Sequence, residues 1–295
     1  MKPNYLHFRI DESLVDRVAI WIDVQGRSVN TLSEPVLDEL LQIVDAETRL
    51  ARDLPLVFRS AKRDSFVVGA DLRRILSIKT DAEIQQFLLL GQIIFDRLER
   101  FEGTTVAIIQ GPCVGGGLEF ALACTYRLAV NAATTQLGMP ESKLGLIPGW
   151  GGTQRLIKTV GVCEGLALLL TGHSVDARRA SELQLVDAVV QESSLDQAVT
   201  AFLRRLTGSG TSHTSVSKTR SFEKAAAISE LADYNLARHG TLSMAQAAIL
   251  RAASLGITQS VELGLRAERE QFYALLMSTQ AQENLQRFLN RSKPS

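Results

Sequence analysis

Short runs rich in β-branched residues recur along the chain: "VAIWIDV" (18–24), "LPLVFRS" (54–60), "TVAIIQ" (105–110), "YRLAVNA" (126–132) and "LVDAVV" (185–190). Each predicts a strand. Between most of them the apolar positions return with a helical period. The longest case, "DAEIQQFLLLGQIIFDRLERF" (81–101), predicts an amphipathic helix. "NTLSEPVLDELLQIV" predicts another, with Thr31 and Glu34 spaced as a capping box and Pro35 in its first turn. Strands alternating with helices predict an α/β fold.

The pattern changes at "LTGSGTSHTSVS" (206–217), whose Gly, Ser and Thr content predicts a linker over 207–217. Beyond it only helical patterns occur: "SFEKAAAISELADYNLARHG", "SMAQAAILRAASLG", "SVELGLRAEREQFYALLMS" and "TQAQENLQRFLNR". Each is too short and too amphipathic to stand alone in water, so each is expected to dock on something. The chain divides into a core over 1–206, the linker, and a helical C-terminal region over 218–295.

Composition narrows the function. With 295 residues the chain can form one large domain or two modest ones, and 45% apolar residues allow a sizeable core. Lys+Arg and Asp+Glu balance at 32 each, which leaves no electrostatic footprint for nucleic acid. The cysteines Cys113, Cys124 and Cys163 are odd in number, sit among apolar residues and match no metal-ligand spacing. They are expected to be reduced core residues in a reducing compartment. No apolar run reaches the ~20 residues that span a bilayer. The first residues lack the apolar centre of a signal peptide and the Arg-rich, acid-poor character of a transit peptide. The expectation is a cytoplasmic protein without a membrane span.

Candidate chemistry lies in three glycine-containing segments. In "GPCVGGGLEFALAC" (111–124) a helix is expected to begin at Gly116 or Gly117, with Glu119 in its first turn. Its first N–H groups lack intrahelical partners and lie at the positive end of the dipole. Glycine lets a ligand atom approach them. The alternative is helix packing through small residues, with Glu119 merely favouring the dipole. In "FVVGADL" (66–72), Gly69, Ala70 and Asp71 again offer backbone N–H groups after a strand. Two such donors converging on one carbonyl oxygen would form an oxyanion hole, although "GAD" is also a common turn. In "LGMPESKLGLIPGWGGTQRL" (137–156), Glu141 opens a short helical turn and a second helix starts near Thr153. "PGWGG" lacks the Lys-Ser/Thr of a phosphate loop. None of the four histidines falls in these segments, so a Ser-His triad is unsupported even though Ser142 adjoins Glu141.

Together these segments resemble the crotonase family of enoyl-CoA hydratases and isomerases, over nearly the whole chain. "LLTGHSVDARRASELQLVDAVV" (169–190) resembles the stretch that follows them in that family. "ACTYRLAV" and "AEREQFYALLMSTQAQENLQRFLN" are similar to the hydratase part of multifunctional fatty-acid oxidation α-chains, which continue into a dehydrogenase absent from this sequence. The resemblance implies a spiral of ββα turns with a C-terminal helical region over the acyl pocket, and acyl-CoA as substrate. It places the oxyanion donors at Ala70 and Gly116 and the catalytic carboxylates at Glu119 and Glu141. Gly69, Ala70, Asp71, Leu72, Arg73 and Gly116 would contact the thioester arm. It implies a homotrimer or hexamer, with a separate dehydrogenase as a further partner.

A thioester acidifies its α-carbon only if the enolate oxygen is stabilised, and each preorganised N–H can remove ~3 kcal/mol of barrier. Adding water across the 2,3-double bond then needs a base at C3 and an acid at C2, roles read here as Glu119 and Glu141. No metal or redox cofactor is expected. Enoyl-CoA hydration in fatty-acid β-oxidation is the first expectation. Δ3,Δ2-enoyl-CoA isomerisation, which needs one base, and a non-catalytic acyl-CoA-binding module are the alternatives.

Overall fold

The computed structural model describes residues 5–50, 54–208 and 242–291, together with residue 229. Most of the linker expected at 207–217 and all but residue 229 of the helix expected over 221–240 lie outside the described residues.

Six strands form the main sheet: β1 (Phe8–Asp11), β2 (Val18–Ile22), β3 (Leu56–Ser60), β4 (Thr105–Ile109), β6 (Tyr126–Val130) and β9 (Ala188–Val190), in the order β1-β2-β3-β4-β6-β9. Only β1 is antiparallel to its neighbour. A parallel sheet covered on both faces needs apolar residues on both, which is why its strands read as unbroken β-branched runs. One face packs on the main core. The other, through Val57, Val106, Ile108 and Leu128, packs on Val199, Phe202 and Leu203 of α8 (Leu195–Gly208). β1 is an addition to the strands expected from sequence. Its "FRID" lies at the sheet edge and carries only one fully buried residue, so its pattern is weak.

A second column of short extended pieces runs beside the sheet. Leu32 bridges Ala70, Val67 bridges Cys113, and β5 (Cys113–Val114) pairs in parallel with β7 (Gln136–Gly138), itself flanked by β8 (Ser174–Asp176). Each passage of the chain thus lays one strand in the sheet and one rung in the column, then returns through helix: α1 (Glu34–Leu50), α2 (Leu72–Ser77) with α3 (Asp81–Glu99), and α4 (Gly116–Ala123). This is the ββα spiral. Fully buried Asn30 fixes one corner: it accepts from Val24 N and donates to Ile22 O, Ser60 Oγ and Phe66 O at 2.9–3.2 Å. The capping pair expected at Thr31 and Glu34 gives way to this geometry. Leu32 is taken into the bridge, α1 starts at Glu34, and Glu34 accepts from Arg74 Nε at 2.7 Å.

After β7 come a 3-10 turn (Pro140–Leu144), α5 (Gly152–Val160), α6 (Val162–Thr171) and α7 (Ala177–Glu182). The C-terminal helices are α9 (Met244–Thr258), α10 (Val261–Leu276) and α11 (Thr279–Arg291). α9 and α10 pair. α10 also packs on α3 and α5, and α11 lies over α2 and the 3-10 turn. Their apolar faces are therefore buried at least in part against their own core. Among the described residues no helix is long and apolar enough to cross a membrane.

Candidate active site

The column explains why three distant segments meet. Val68 N donates to Asn30 O, Val114 N to Val67 O, and Gly115 N to Gly138 O. Gly69–Ala70, Gly115–Gly116 and Gly138–Glu141 therefore end three successive rungs on one side of the molecule. Leu32 takes the bonds on either side of Ala70, donating to Gly69 O and accepting from Asp71 N, so the Ala70 N–H points away from Leu32. Gly116 is the first residue of α4, and its N–H has no intrahelical acceptor. The two backbone segments lie close together: a Cβ on Gly116 would lie 3.3 Å from Ala70 N, and one on Gly69 would lie 3.6 Å from Gly116 N.

The three glycines have separate reasons. Gly115 sits at φ 54°, and a Cβ on it would come within 2.5 Å of Glu141 Oε1. A Cβ on Gly116 would overlap the Trp150 ring, and one on Gly117 would overlap Val67 O. All eight residues of α4 are buried, which a helix apolar on every side requires. Close packing and a place in the cavity wall both hold here, at neighbouring positions.

The two rungs open on a cavity of about 230 Å³ lined by Gly69, Ala70, Leu72, Gly116, Glu119 and Glu141, among others. Apolar side chains supply most of its wall, including Phe87, Leu88 and Trp150, with Phe272 of α10 and Phe288 of α11. Glu119 is 2% exposed. Its Oε1 accepts from Trp150 N at 2.7 Å and Gly152 N at 2.8 Å, which leaves Oε2 for another partner. Burial pushes its pKa well above the carboxylate range. The negative charges of Glu268 and Glu141 push the same way, and the two amide bonds pull back. Glu141 is held against Gly115, with Oε2 buried and without a hydrogen-bond partner. Burial raises it to about 7, and the Glu268 charge adds to the rise.

Glu268 of α10 is a functional-site neighbour that the motif reading missed. Fully buried, it accepts from Gly151 N (2.5 Å), Thr153 N (3.1 Å) and Thr153 Oγ1 (2.5 Å). Burial lifts it to about 7 despite these bonds. The signal lay in the helical period. Gly264, Ala267, Glu268, Phe272 and Leu275 share the buried face of α10, so a carboxylate stands where an apolar residue belongs.

Two residues expected to contact the thioester arm are not part of the cavity wall. Asp71 does not line the cavity. It caps α2, accepting from Arg73 N at 3.0 Å, and pairs with Arg27 at 2.9 Å. Arg73 is the second residue of that helix and is likewise outside the cavity wall. Ser142 Oγ has no hydrogen-bond partner and His173 is exposed, so no Ser-His pair forms. Cys113 and Cys124 are buried as expected, and burial pushes the Cys124 thiol up to about 12. Cys163 is the exception. It falls on the solvent side of the first turn of α6 and is exposed. Among the described residues no group of three His, Cys, Asp or Glu could hold a metal ion.

Residues 18–247 match the family model described as enoyl-CoA hydratase/isomerase. The chain is 36% identical over 269 residues to the fatty acid oxidation complex subunit alpha of Aliivibrio fischeri, covering 88% of this chain and 38% of that one. It is 35% identical to the subunit of the same name from Vibrio vulnificus, covering 93% and 39%. It thus spans well under half the length of these curated relatives. Among solved structures, an enoyl-CoA hydratase from Bacillus anthracis superposes with a TM-score of 0.64 at 25% identity over 98% of both chains. Human mitochondrial delta3-delta2-enoyl-CoA isomerase shares the fold, with a TM-score of 0.70 at 20% identity over 97% of both. On the extent of these matches and on the spiral built by its own residues, the chain belongs to the enoyl-CoA hydratase/isomerase family.

Proposed function

We propose that this chain hydrates the 2,3-double bond of enoyl-CoA thioesters, as part of fatty-acid oxidation. One observation carries the reading. Two carboxylates from different rungs, buried Glu119 and Glu141 with its buried Oε2, line the same cavity as the adjacent backbones of Ala70 and Gly116. The amides donate to the thioester oxygen as it gains charge. Glu119 Oε2 takes a proton from water as the water oxygen bonds to C3. The C2=C3 pair moves to the thioester oxygen, and the enolate collapses as C2 takes a proton from Glu141. Glu119 accepts two amide bonds that favour its anion, whereas Glu141 Oε2 is buried bare. Hydration needs the charge on Glu119 and the proton on Glu141: the two amide bonds favour that arrangement, while the deep burial of Glu119 and the nearby Glu268 charge oppose it. The sequence is redox-neutral.

Purified protein mixed with crotonyl-CoA should bleach the absorbance of the conjugated enoyl thioester. No loss of absorbance with folded protein sinks this reading. The isomerase reading has one supporting observation, that Glu141 carries a free oxygen and could shuttle a proton alone. A 3-enoyl-CoA would then gain absorbance while crotonyl-CoA stays unchanged.

The carboxylates also set a pH range. The pair works with one proton between its members, so activity is lost when both are protonated and again when both are ionised. Both groups are raised, Glu141 to about 7. The low-pH limb of kcat/KM should therefore lie above the ordinary carboxylate value of 4.5, giving a bell centred near neutrality. A profile flat from about pH 5 to 9 would contradict the shared proton.

A further inference from the structure

Four consecutive amides at the entrance to α5 alternate between two carboxylates. Trp150 N and Gly152 N donate to Glu119, and Gly151 N and Thr153 N donate to Glu268. The turn is thus held from both sides. Glu268 does not line the cavity. Its own surroundings are ordered so that it only accepts. Gln154 Nε2 donates to Thr153 Oγ1 at 2.8 Å, so the Thr153 hydroxyl proton points to Glu268 Oε2. On α3, Gln92 takes an Arg269 guanidinium on its oxygen, which turns Nε2 toward Gly149 O and, at 3.5 Å, Glu268 Oε1.

The charged groups around this carboxylate are few. Across the turn stand Glu119 of α4 and Glu141 of the 3-10 turn. On α5, Arg155 faces it but is committed to Trp150 O at 2.7 Å and to Glu99 of α3 at 2.8 Å, which Lys158 also holds. On α10 itself, Arg269 is committed to Gln92. From α9 the turn receives the neutral Gln154–Ala252 contact. None of these cations bonds to Glu268.

We propose that Glu268 is a positioning residue of this site: it clamps alternate amides of the 150–153 turn, presents the other two to Glu119, and by its charge sets the pH range over which the Glu119–Glu141 pair holds one proton. The inference rests on the hydratase reading for its kinetic arm only. An acceptor lost from one side of the turn leaves a buried N–H unpaired and lets the turn, and with it Glu119, move. A negative charge lost from beside two carboxylates lowers the pH at which they release a proton.

The experiment compares Glu268→Gln, Glu268→Asp and Thr153→Val with the wild-type chain. In Glu268→Gln one amide loses its acceptor and the charge is gone. The kcat for crotonyl-CoA should fall about tenfold with KM changed less than about threefold, and the high-pH limb of the profile, where Glu268 is ionised, should move down by about one unit, with the low-pH limb moving less. Glu268→Asp keeps the charge at a shorter reach, so kcat should fall while the limbs stay in place. Thr153→Val removes only the hydroxyl donor and should give a smaller downward move of the limbs. The second arm needs no turnover: the carboxyl titration of Glu119 in unliganded, 13C-glutamate-labelled protein, assigned by its loss in Glu119→Gln. It should shift down in Glu268→Gln and Thr153→Val and hold in Glu268→Asp. If the wild-type chain does not hydrate crotonyl-CoA but the titration shifts, the hydratase reading fails and the coupling stands. Unchanged limbs and an unchanged Glu119 titration in Glu268→Gln overturn the inference. Should that variant not fold, an unchanged titration in Thr153→Val overturns it.

Discussion

Glu119→Gln should lower the kcat for crotonyl-CoA hydration by about 10²-fold or more and leave the fold as stable as before, or more so. The two halves of this expectation have one cause. Gln retains a carbonyl oxygen for the Trp150 and Gly152 amides, so the turn keeps its anchor. It removes one of three closely placed carboxylates whose charges repel one another, Glu119, Glu141 and Glu268. A site that holds like charges together for chemistry is a place where loss of function can raise stability. Kinetics and thermal denaturation on the same preparation decide the matter. A rate within about threefold of wild type removes Glu119 from the reaction, since a lost general base costs far more. A large fall in melting temperature would show that the charge supports the fold. Glu141→Gln should lose activity on the same scale, because the proton for C2 then has no donor.

Gly117→Ala is expected to damage the fold rather than the chemistry. A Cβ at this position would overlap the Val67 carbonyl oxygen, a backbone atom of the adjoining rung that cannot rotate aside. The rung must move or α4 must tilt, at a cost of about 3 kcal/mol or more. For a chain of this size that lowers the melting temperature by roughly 5 °C or more. Full thermal stability in the variant would mean that α4 and the column are more loosely joined than described. Gly116 differs in kind. Its nearest neighbours are ring atoms of Trp150 and the Ala70 amide, so a side chain there displaces pocket wall and packing together. Gly116→Val therefore cannot separate catalysis from stability, and the glutamate variants are the cleaner test.

The readable parts of the fold were those whose periodicity is long. α3 and the strands β2, β3, β4 and β6 are continuous apolar patterns, and they appear within a few residues of the positions expected from sequence. The column was invisible. β5, β7 and β8 have two or three residues each, too few for an alternation to show, and the rungs at Leu32, Val67 and Ala70 are single bridges. Yet the column is what brings Gly69, Gly116 and Glu141 together. That they belong together was legible only because the three segments resemble a family, and no local pattern announced it. Asp71 has a role in the fold that its segment does not announce. Its carboxylate is a helix cap with a surface arginine, and only its neighbours reach the cavity. Glu268 failed to draw notice for the opposite reason, since it stands alone in an amphipathic helix with no glycine or motif beside it. A single polar residue on an apolar stripe is a faint signal against a noisy surface.

The family match ends at residue 247, but the pocket does not. Phe272 and Phe288 close its apolar wall, and Glu268 grips the turn that holds Glu119. The stretch by which the chain is recognised is therefore shorter than the stretch that builds its site. A transplant, a truncation or an alignment cut at the recognised boundary would discard α10 and α11, and with them the outer grip on a carboxylate 149 positions upstream. Any minimal version of this protein has to be drawn from its hydrogen bonds outward, and must run to the end of α11 at Arg291.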